Sequence, residues 1–396
     1  MYPVDPWDLN GVYSGSALAE DDALYLYYTG NVKYPGNYDY IYEGRGHHVC
    51  LAVTKDGIHA DSNELLLSND CYPSDMSCHV RDPKVWKMDG KYYMVLGART
   101  KKDVGELLIF ESEDKYHWKH INVIKTPEPC GYMWECPDIF CVDGQWIVMT
   151  SPQGMELHDY IGQNVYSCGY FPLYGDFRGE YTLGEYCEAD AGFDYYAPQT
   201  FKAPDGRRIV IGWMGMPDAE YSNPTTEKLW QHCMSIPREL RWVNGKLTAQ
   251  PVEELKQLRK QKESFRCENE INLPKYPLEE LYFQNEGEML TIQIEEDAEI
   301  QWKDGLVKLG LSEKSGYGRT ERFLRLESLK NIRLFLDASS IEIFFNDGEY
   351  VMTSRYYPCE NQYFTICGNG EGAYYTLSPM TFDWNLEENG GKFEKT

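Results

Sequence analysis

The chain has 396 residues, with 63 acidic against 38 basic side chains and a formal charge of −25. That balance speaks against nucleic acid or an anionic membrane surface as the partner, since both recruit clustered Lys and Arg. No run of 18 or more apolar residues occurs, and the polar start at Met1 lacks a basic region followed by an apolar stretch, so neither a membrane span nor a signal peptide is read and the cytoplasm is the default.

At ~150 residues per domain the length suggests two or three domains. Thirty-two Tyr and ten Trp suit β-rich structure, and such rings also stack on sugar faces. Twelve Cys without a CxxC pair are too sparse for a disulfide scaffold, and reduced, mostly buried thiols are expected. No metal is expected. His47 and His48 are neighbours, and His117 and His120 fall where a strand points them to opposite faces, so neither pair converges as metal ligands must.

The chain opens with VDPWDLNG (4–11), which pairs Asp5-Pro6 with Asn10-Gly11. A repeat follows: SALAEDDALYLYYTG (16–30), PKVWKMDGKYYMVLGA (83–98), PDIFCVDGQWIVMTS (137–151) and APQTFKAPDGRRIVIGWMG (197–215). Each is a short apolar strand, a tight turn and an alternating strand, the pattern of a hairpin. The Asp-Gly turns begin at Asp89, Asp143 and Asp205, 54 and 62 residues apart. A third strand and a polar turn come later in the unit, as in HHVCLAVTKDGIHAD (47–61) and ELLIFESEDKYHWKH (106–120). Four short strands repeated radially predict a β-propeller. Ig-like sandwiches need about seven strands and ~100 residues per unit, nearly twice this repeat.

Three acids stand beside the first strands of successive units: Asp8 in WDLNG, Asp82 in HVRDPKVW and Glu135 in MWECPDIF. The innermost strands of a propeller line its channel, so acids at equivalent stations converge. Glycoside hydrolysis needs one carboxyl group held neutral and one ionised. Met133, Trp134 and Cys136 around Glu135 suggest the neutral donor, and Arg81 beside Asp82 suggests the ionised partner.

The texture changes after residue 251. VEELKQLRKQKESF (252–265) reads as a charged helical or linker stretch. Strands then return without the repeat, and Asn346-Asp347-Gly348 between two alternating runs is a strong hairpin signal. The expected division is a propeller over 1–251, a linker over 252–265 and an antiparallel β-sandwich over 266–396.

SGSA (14–17), RDP (81–83), WECPD (134–138), DAGFDYYAPQTF (190–201), IGWMG (211–215), MSIPREL (234–240) and DASSIEIFFNDG (337–348), in this order, resemble the motifs of family 32 glycoside hydrolases, the invertase and β-fructosidase group. The resemblance runs from about residue 8 to the end. It implies an all-β fold, a five-bladed β-propeller followed by a β-sandwich, which hydrolyses β-fructofuranosides such as sucrose, sucrose 6-phosphate or short fructans with retention and without a cofactor. Carried over, Glu135 would be the acid and then the base, and Asp82 would bind fructose hydroxyls and stabilise the oxocarbenium-like transition state. Arg81 would orient the same ring, and Ser14, with Tyr13 where the family usually has Phe, would line the fructose pocket.

In that family the nucleophile lies several tens of residues before Ser-Gly-Ser-Ala, whereas Asp5 lies nine residues before Ser14. Pro6, Asp8 and Gly11 match the later stretch just before that motif, so Asp5 is not read as the nucleophile. The first blade is then expected to be largely absent from this chain, through fragmentation, a misassigned start or a natural remnant. An incomplete ring would leave sheet edges unpaired and an oligomer open. A non-catalytic fructoside-binding remnant and a five-bladed arabinosidase or xylosidase stand as alternatives. No Lys or Arg can be assigned to a substrate phosphate from the sequence.

Overall fold

The structure, a computed structural model, describes residues 2–358 and 363–380; Met1, Cys359 and the end of the second domain over 381–396 lie outside them. Four antiparallel sheets follow one another as the blades of a β-propeller. Blade one holds β1 (Val12–Glu20), β2 (Ala23–Lys33), β3 (Arg45–Thr54) and β4 (Ser62–Leu67). Blade two holds β5 (Met76–Met88), β6 (Lys91–Thr100), β7 (Gly105–Ser112) and β8 (Lys119–Ile124). Blade three is built of β9 (Met133–Val142), β10 (Gln145–Gln153) and β11 (Gly169–Gly175), with β12 (Tyr181–Leu183) and β13 (Cys187–Glu188) both on β11. Blade four is β14 (Tyr196–Lys202), β15 (Arg208–Met214), β16 (Cys233–Met234), β17 (Arg238–Val243) and β18 (Lys246–Pro251).

Two of the three Asp-Gly turns take the hairpin form expected of that dipeptide. Asp89-Gly90 and Asp143-Gly144 both take two successive left-handed residues, with φ of 51° and 80° and of 48° and 85°. That is the I′ turn whose twist matches the strands it joins.

Alternation along each strand serves two interfaces at once. In β6, Met94 and Leu96 pack with Tyr27 and Leu51 of blade one, while Val95 between them packs with Trp134 and Phe171 of blade three. Phe140 and Ile147 of blade three then meet Val210 and Leu240 of blade four. At the propeller axis the Lys84 ammonium donates to the Thr200 carbonyl (2.6 Å) and pairs with Asp138 (3.2 Å), tying three inner strands together.

The stretch expected as a single linker over 252–265 divides. A 3-10 helix spans Glu253–Leu258 with Leu255 buried, and Arg259 already begins β19 (Arg259–Pro274). The second domain continues with β20 (Glu279–Asn285), β21 (Met289–Ile294), β22 (Ala298–Lys303), β23 (Leu306–Leu311), β24 (Glu321–Arg325), β25 (Asn331–Asp337), β26 (Ser340–Phe345), β27 (Tyr350–Arg355) and β28 (Tyr363–Leu377). One long strand organises it. β28 pairs with β19 along its length, with β20 through residues 370–376 and with β21 through residues 365–367. The sheet therefore curls, and its two halves close over Ile292, Ile300, Val307, Phe283, Leu334 and Ile343, a sandwich-like core.

The domains are joined by buried charge. Arg238 is fully buried and donates to Asp190 (3.0 Å), Glu342 (2.6 Å) and Thr353 (2.5 Å). The segment bearing Asp190 runs beside β27, with the Ala191 N–H on the Val351 carbonyl and the Asp194 N–H on the Thr353 carbonyl.

Candidate active site

Each inner strand breaks register with its neighbour at the same station. The slips fall between Tyr13 and Gly15 in β1, between Arg81 and Lys84 in β5, opposite Glu135 to Asp138 in β9, and between Tyr196 and Gln199 in β14. In blades two to four the bulged residue is left-handed, Asp82 at φ 62°, Cys136 at 47° and Ala197 at 50°, and each precedes a proline. Proline cannot donate to a ladder, and a non-glycine residue at such φ stores about 1–3 kcal/mol of strain, a pattern concentrated at functional sites. A bulge also defeats alternation, so two consecutive side chains face the same way. Tyr13 and Ser14, Arg81 and Asp82, Glu135 and Cys136, and Tyr196 and Ala197 accordingly all line one funnel of about 450 Å³. That volume lies in the range that holds a small ligand.

Arg81 dominates its electrostatics. Its Nε donates to Glu135 Oε1 at 2.9 Å, with a second bond from Nη2 to the same oxygen, whereas Nε stands 4.0 Å from Asp82 Oδ2. Glu135 Oε2 accepts from Gln153 Nε2 (2.7 Å) and the Tyr196 hydroxyl (2.5 Å). Asp82 Oδ2 accepts from the Cys136 backbone N–H at 2.9 Å, which ties the two stations together. Burial pushes the Asp82 carboxyl up to about 6, with Arg81 opposing and Glu135 adding to the rise. Burial, then the charge on Glu135, raises the Tyr196 hydroxyl, so it stays a proton donor. The Cys136 thiol is raised well above its ordinary value, first by burial and then by Asp82 and Glu135, and is not a nucleophile.

The structure thus brings together Tyr13, Ser14, Arg81, Asp82 and Glu135. Three expectations drawn from sequence neighbours change. Arg81 sits on Glu135 rather than Asp82, and burial leaves Asp82 as the group with the raised pKa. Trp134 does not make Glu135 apolar surroundings, because it points between blades and stacks on Phe171 at 5.4 Å. Asp8 stays out of the funnel, fully buried in the turn before β1, where it accepts from the Tyr28 hydroxyl at 2.9 Å. Asp5 likewise faces the Asn63 amide. Sequence reading missed His47, His79, Gln153, Tyr196 and Trp213. The recurrence of RDP, ECP and YAP in the repeat is the signal that would have found Tyr196.

A more enclosed cavity of about 220 Å³ lies between blades three and four and the second domain. Most of its charged groups are already paired, Arg238 with Asp190, Lys246 with Glu349 and Arg325 with Asp159, while Glu188 accepts from the Gly162 N–H and the Ser167 hydroxyl. Among the described residues no group of three or more His, Cys, Asp or Glu stands where it could hold a metal ion.

Comparison with known proteins adds the following. The model of the glycosyl hydrolases family 32 N-terminal domain matches residues 1–251, and that of the family 32 C terminal matches residues 324–377. A sucrose-6-phosphate hydrolase of Bacillus subtilis (strain 168) is 38% identical over 376 residues, covering 90% of this chain and 76% of that protein. One from Klebsiella pneumoniae is 37% identical over 371 residues, with the same shares. Among solved structures, sucrose-6-phosphate hydrolase from Lactobacillus gasseri superposes with a TM-score of 0.84 at 28% identity, covering 95% of this chain and 80% of that one. A mutant of the Bombyx mori family 32 beta-fructofuranosidase in complex with sucrose superposes with a TM-score of 0.79, also at 28% identity, covering 92% and 79%.

Proposed function

Since the chain belongs to glycosyl hydrolase family 32, we propose that its funnel is the site at which it cleaves β-fructofuranosides, with Glu135 and Asp82 as the reacting carboxyls. The chain is a glycosidase of that class. Sucrose and its 6-phosphate are the substrates we assign to it, supported by the names of its relatives. The observation that carries the reading is the meeting of Asp82 and Glu135 at equivalent bulges of adjacent inner strands, joined through the Cys136 N–H and the Arg81 guanidinium.

The proposed chemistry follows from those contacts. Glu135 gives its proton to the glycosidic oxygen and later takes one from water, and the Tyr196 hydroxyl and Gln153 amide hold its Oε2 in place. Arg81 can release Glu135 toward the substrate and steady the anionic form that remains. Asp82, ionised, stabilises the positive charge that develops on the fructosyl ring. Retention requires a further carboxylate as nucleophile, roughly 5 Å from the acid. Asp82 and Glu135 are the acids of the funnel lining. We therefore read the four blades as part of a five-bladed ring; among the described residues the funnel lining supplies these two carboxylates.

The test is fructose release from sucrose by the 396-residue chain and by Glu135→Gln side by side. Loss of about 100- to 10,000-fold in the variant is expected, and equal turnover in the two overturns the assignment. A second reading, fructoside binding without turnover, is favoured by the two-carboxylate lining. Calorimetric heat of sucrose binding with no fructose released would select it.

A further inference from the structure

We infer that Arg45, in the funnel lining, and Lys33, its partner across the β2–β3 ladder, form a site for a phosphate monoester on the outer sugar of the substrate; this rests on the funnel being the fructoside-cleaving site.

The two cations close the end of the β2–β3 ladder, where they are directly opposed partners. Like charges directly opposite one another destabilise a sheet. Both also lean on one ring, the Lys33 ammonium 5.3 Å and the Arg45 guanidinium 6.0 Å from the centre of Tyr40. The surrounding chain carries 25 surplus negative charges, so carboxylates to separate these cations are abundant. Yet after burial the largest electrostatic influences on Arg45 come from Tyr13, Arg81, Cys78 and Tyr40, none of them a carboxylate. A concentrated positive pair kept clear of acids, in a strongly acidic protein, is arranged for an anion from outside.

The hydrogen bonds of Arg45 point the same way. Its Nε is buried and has no partner. Its Nη1 meets His79 Nε2 at 2.9 Å, while His79 Nδ1 meets Arg81 Nη1 at 2.8 Å. Burial, then Arg81 and Arg45, push the His79 imidazole down to about 3, so it is neutral. A neutral imidazole accepts at one nitrogen only. One of the two guanidinium groups therefore faces an N–H, and the buried Nε of Arg45 is left without an acceptor. A phosphate monoester supplies several anionic oxygens to a guanidinium fork and an ammonium together.

Depth decides which sugar bears the phosphate. Asp82 is buried, Arg45 of the same lining is half-buried, and Lys33, the ladder partner of Arg45, is exposed. A substrate whose reacting bond reaches the carboxyls presents its leaving sugar, not the fructosyl ring, to Lys33 and Arg45.

The test is calorimetric binding of glucose 6-phosphate and of glucose to the full chain, to Lys33→Gln and to Arg45→Gln, with inorganic phosphate as a third ligand. Wild type should favour glucose 6-phosphate over glucose by about 10- to 100-fold, the worth of one or two charge-assisted hydrogen bonds. That ratio should fall about tenfold or more in either variant and shrink with added salt. Lys33 is exposed, so its variant should fold as wild type does. Equal binding of the two sugars by wild type, or a ratio indifferent to both substitutions, overturns the site. Inorganic phosphate bound as tightly as glucose 6-phosphate overturns the assignment to a sugar-borne group. Fructose release from sucrose, measured separately, keeps the two readings apart: turnover without a phosphate preference sinks only the anion site, and a phosphate preference without any sucrose turnover sinks only the hydrolase reading.

Discussion

Arg81 and Glu135 occupy the same station on neighbouring blades, and the guanidinium of one carries the carboxylate of the other at 2.9 Å. The arrangement fixes the position of the proposed acid, and it leaves Asp82 beside the pair, 4.0 Å from the Arg81 Nε. Removing Arg81 therefore disturbs two carboxyls at once. Arg81→Met should lower kcat/KM for sucrose by about 100-fold or more, since a charge-assisted pair is lost inside a partly dry site. Arg81→Lys should restore little of it, because an ammonium cannot reproduce the paired contacts. Recovery to near wild-type rates in the Lys variant would show that charge alone matters.

The Asp82 carboxyl sets an acid limb. Its pKa stands at about 6 against an ordinary 3.8. If it acts ionised, kcat/KM should rise as pH passes upward through about 6 and level off above 7. A profile flat between pH 5 and 7 would remove Asp82 from that role.

The same displacement acts on stability, with the opposite sense. Between pH 3.8 and about 6 the folded chain holds a proton on Asp82 that the unfolded chain has released, so stability falls as pH rises through that window. The step is worth on the order of 3 kcal/mol. Asp82→Asn, which mimics the protonated group, should melt with wild type at pH 4 and progressively above it toward pH 7. Coincident melting curves at both pH values would count against the burial of an ionisable Asp82.

Arg238 is the keystone of the domain junction. Arg238→Met leaves Asp190 and Glu342 buried without their cation, at a cost of about 3–5 kcal/mol. The midpoint of thermal unfolding should drop by several degrees. A shift below one degree would show that the two acids become protonated at little cost.

The bulge in blade four tests strain directly. Ala197 has φ of 50°, which glycine adopts freely. Ala197→Gly should raise stability by about 0.5–1 kcal/mol despite removing a methyl group, as measured by urea unfolding at constant slope. Destabilisation would mean that the methyl group contributes more than the strain costs.

Much of the fold was legible. Asp89-Gly90 and Asp143-Gly144 marked hairpins because that dipeptide tolerates two left-handed residues, and the spacing of those turns marked the blades. Arg259 to Phe265 was not legible as strand, because β19 is polar on most of its length and is held by pairing with β28, a long-range partner invisible in local pattern. In the site, Arg81, Asp82 and Glu135 could be found because they share a repeated station. Their protonation could not be read from neighbours. Trp134 follows strand alternation away from Glu135, and Arg81 reaches across a blade boundary instead of along the chain. Arg45 was hidden for the same reason: its role depends on Lys33 across a ladder and His79 in another blade.

The left-handed residue followed by proline recurs at Asp82-Pro83, Cys136-Pro137 and Ala197-Pro198 while the side chains around it differ entirely. Backbone shape at these positions is thus independent of what the positions display. Each blade offers a two-residue socket, and a change of chemistry, from arginine and aspartate to tyrosine and alanine, requires no redesign of the sheet behind it. A catalytic centre of this construction can be rewritten one dipeptide at a time, with every intermediate protein still folding as a propeller.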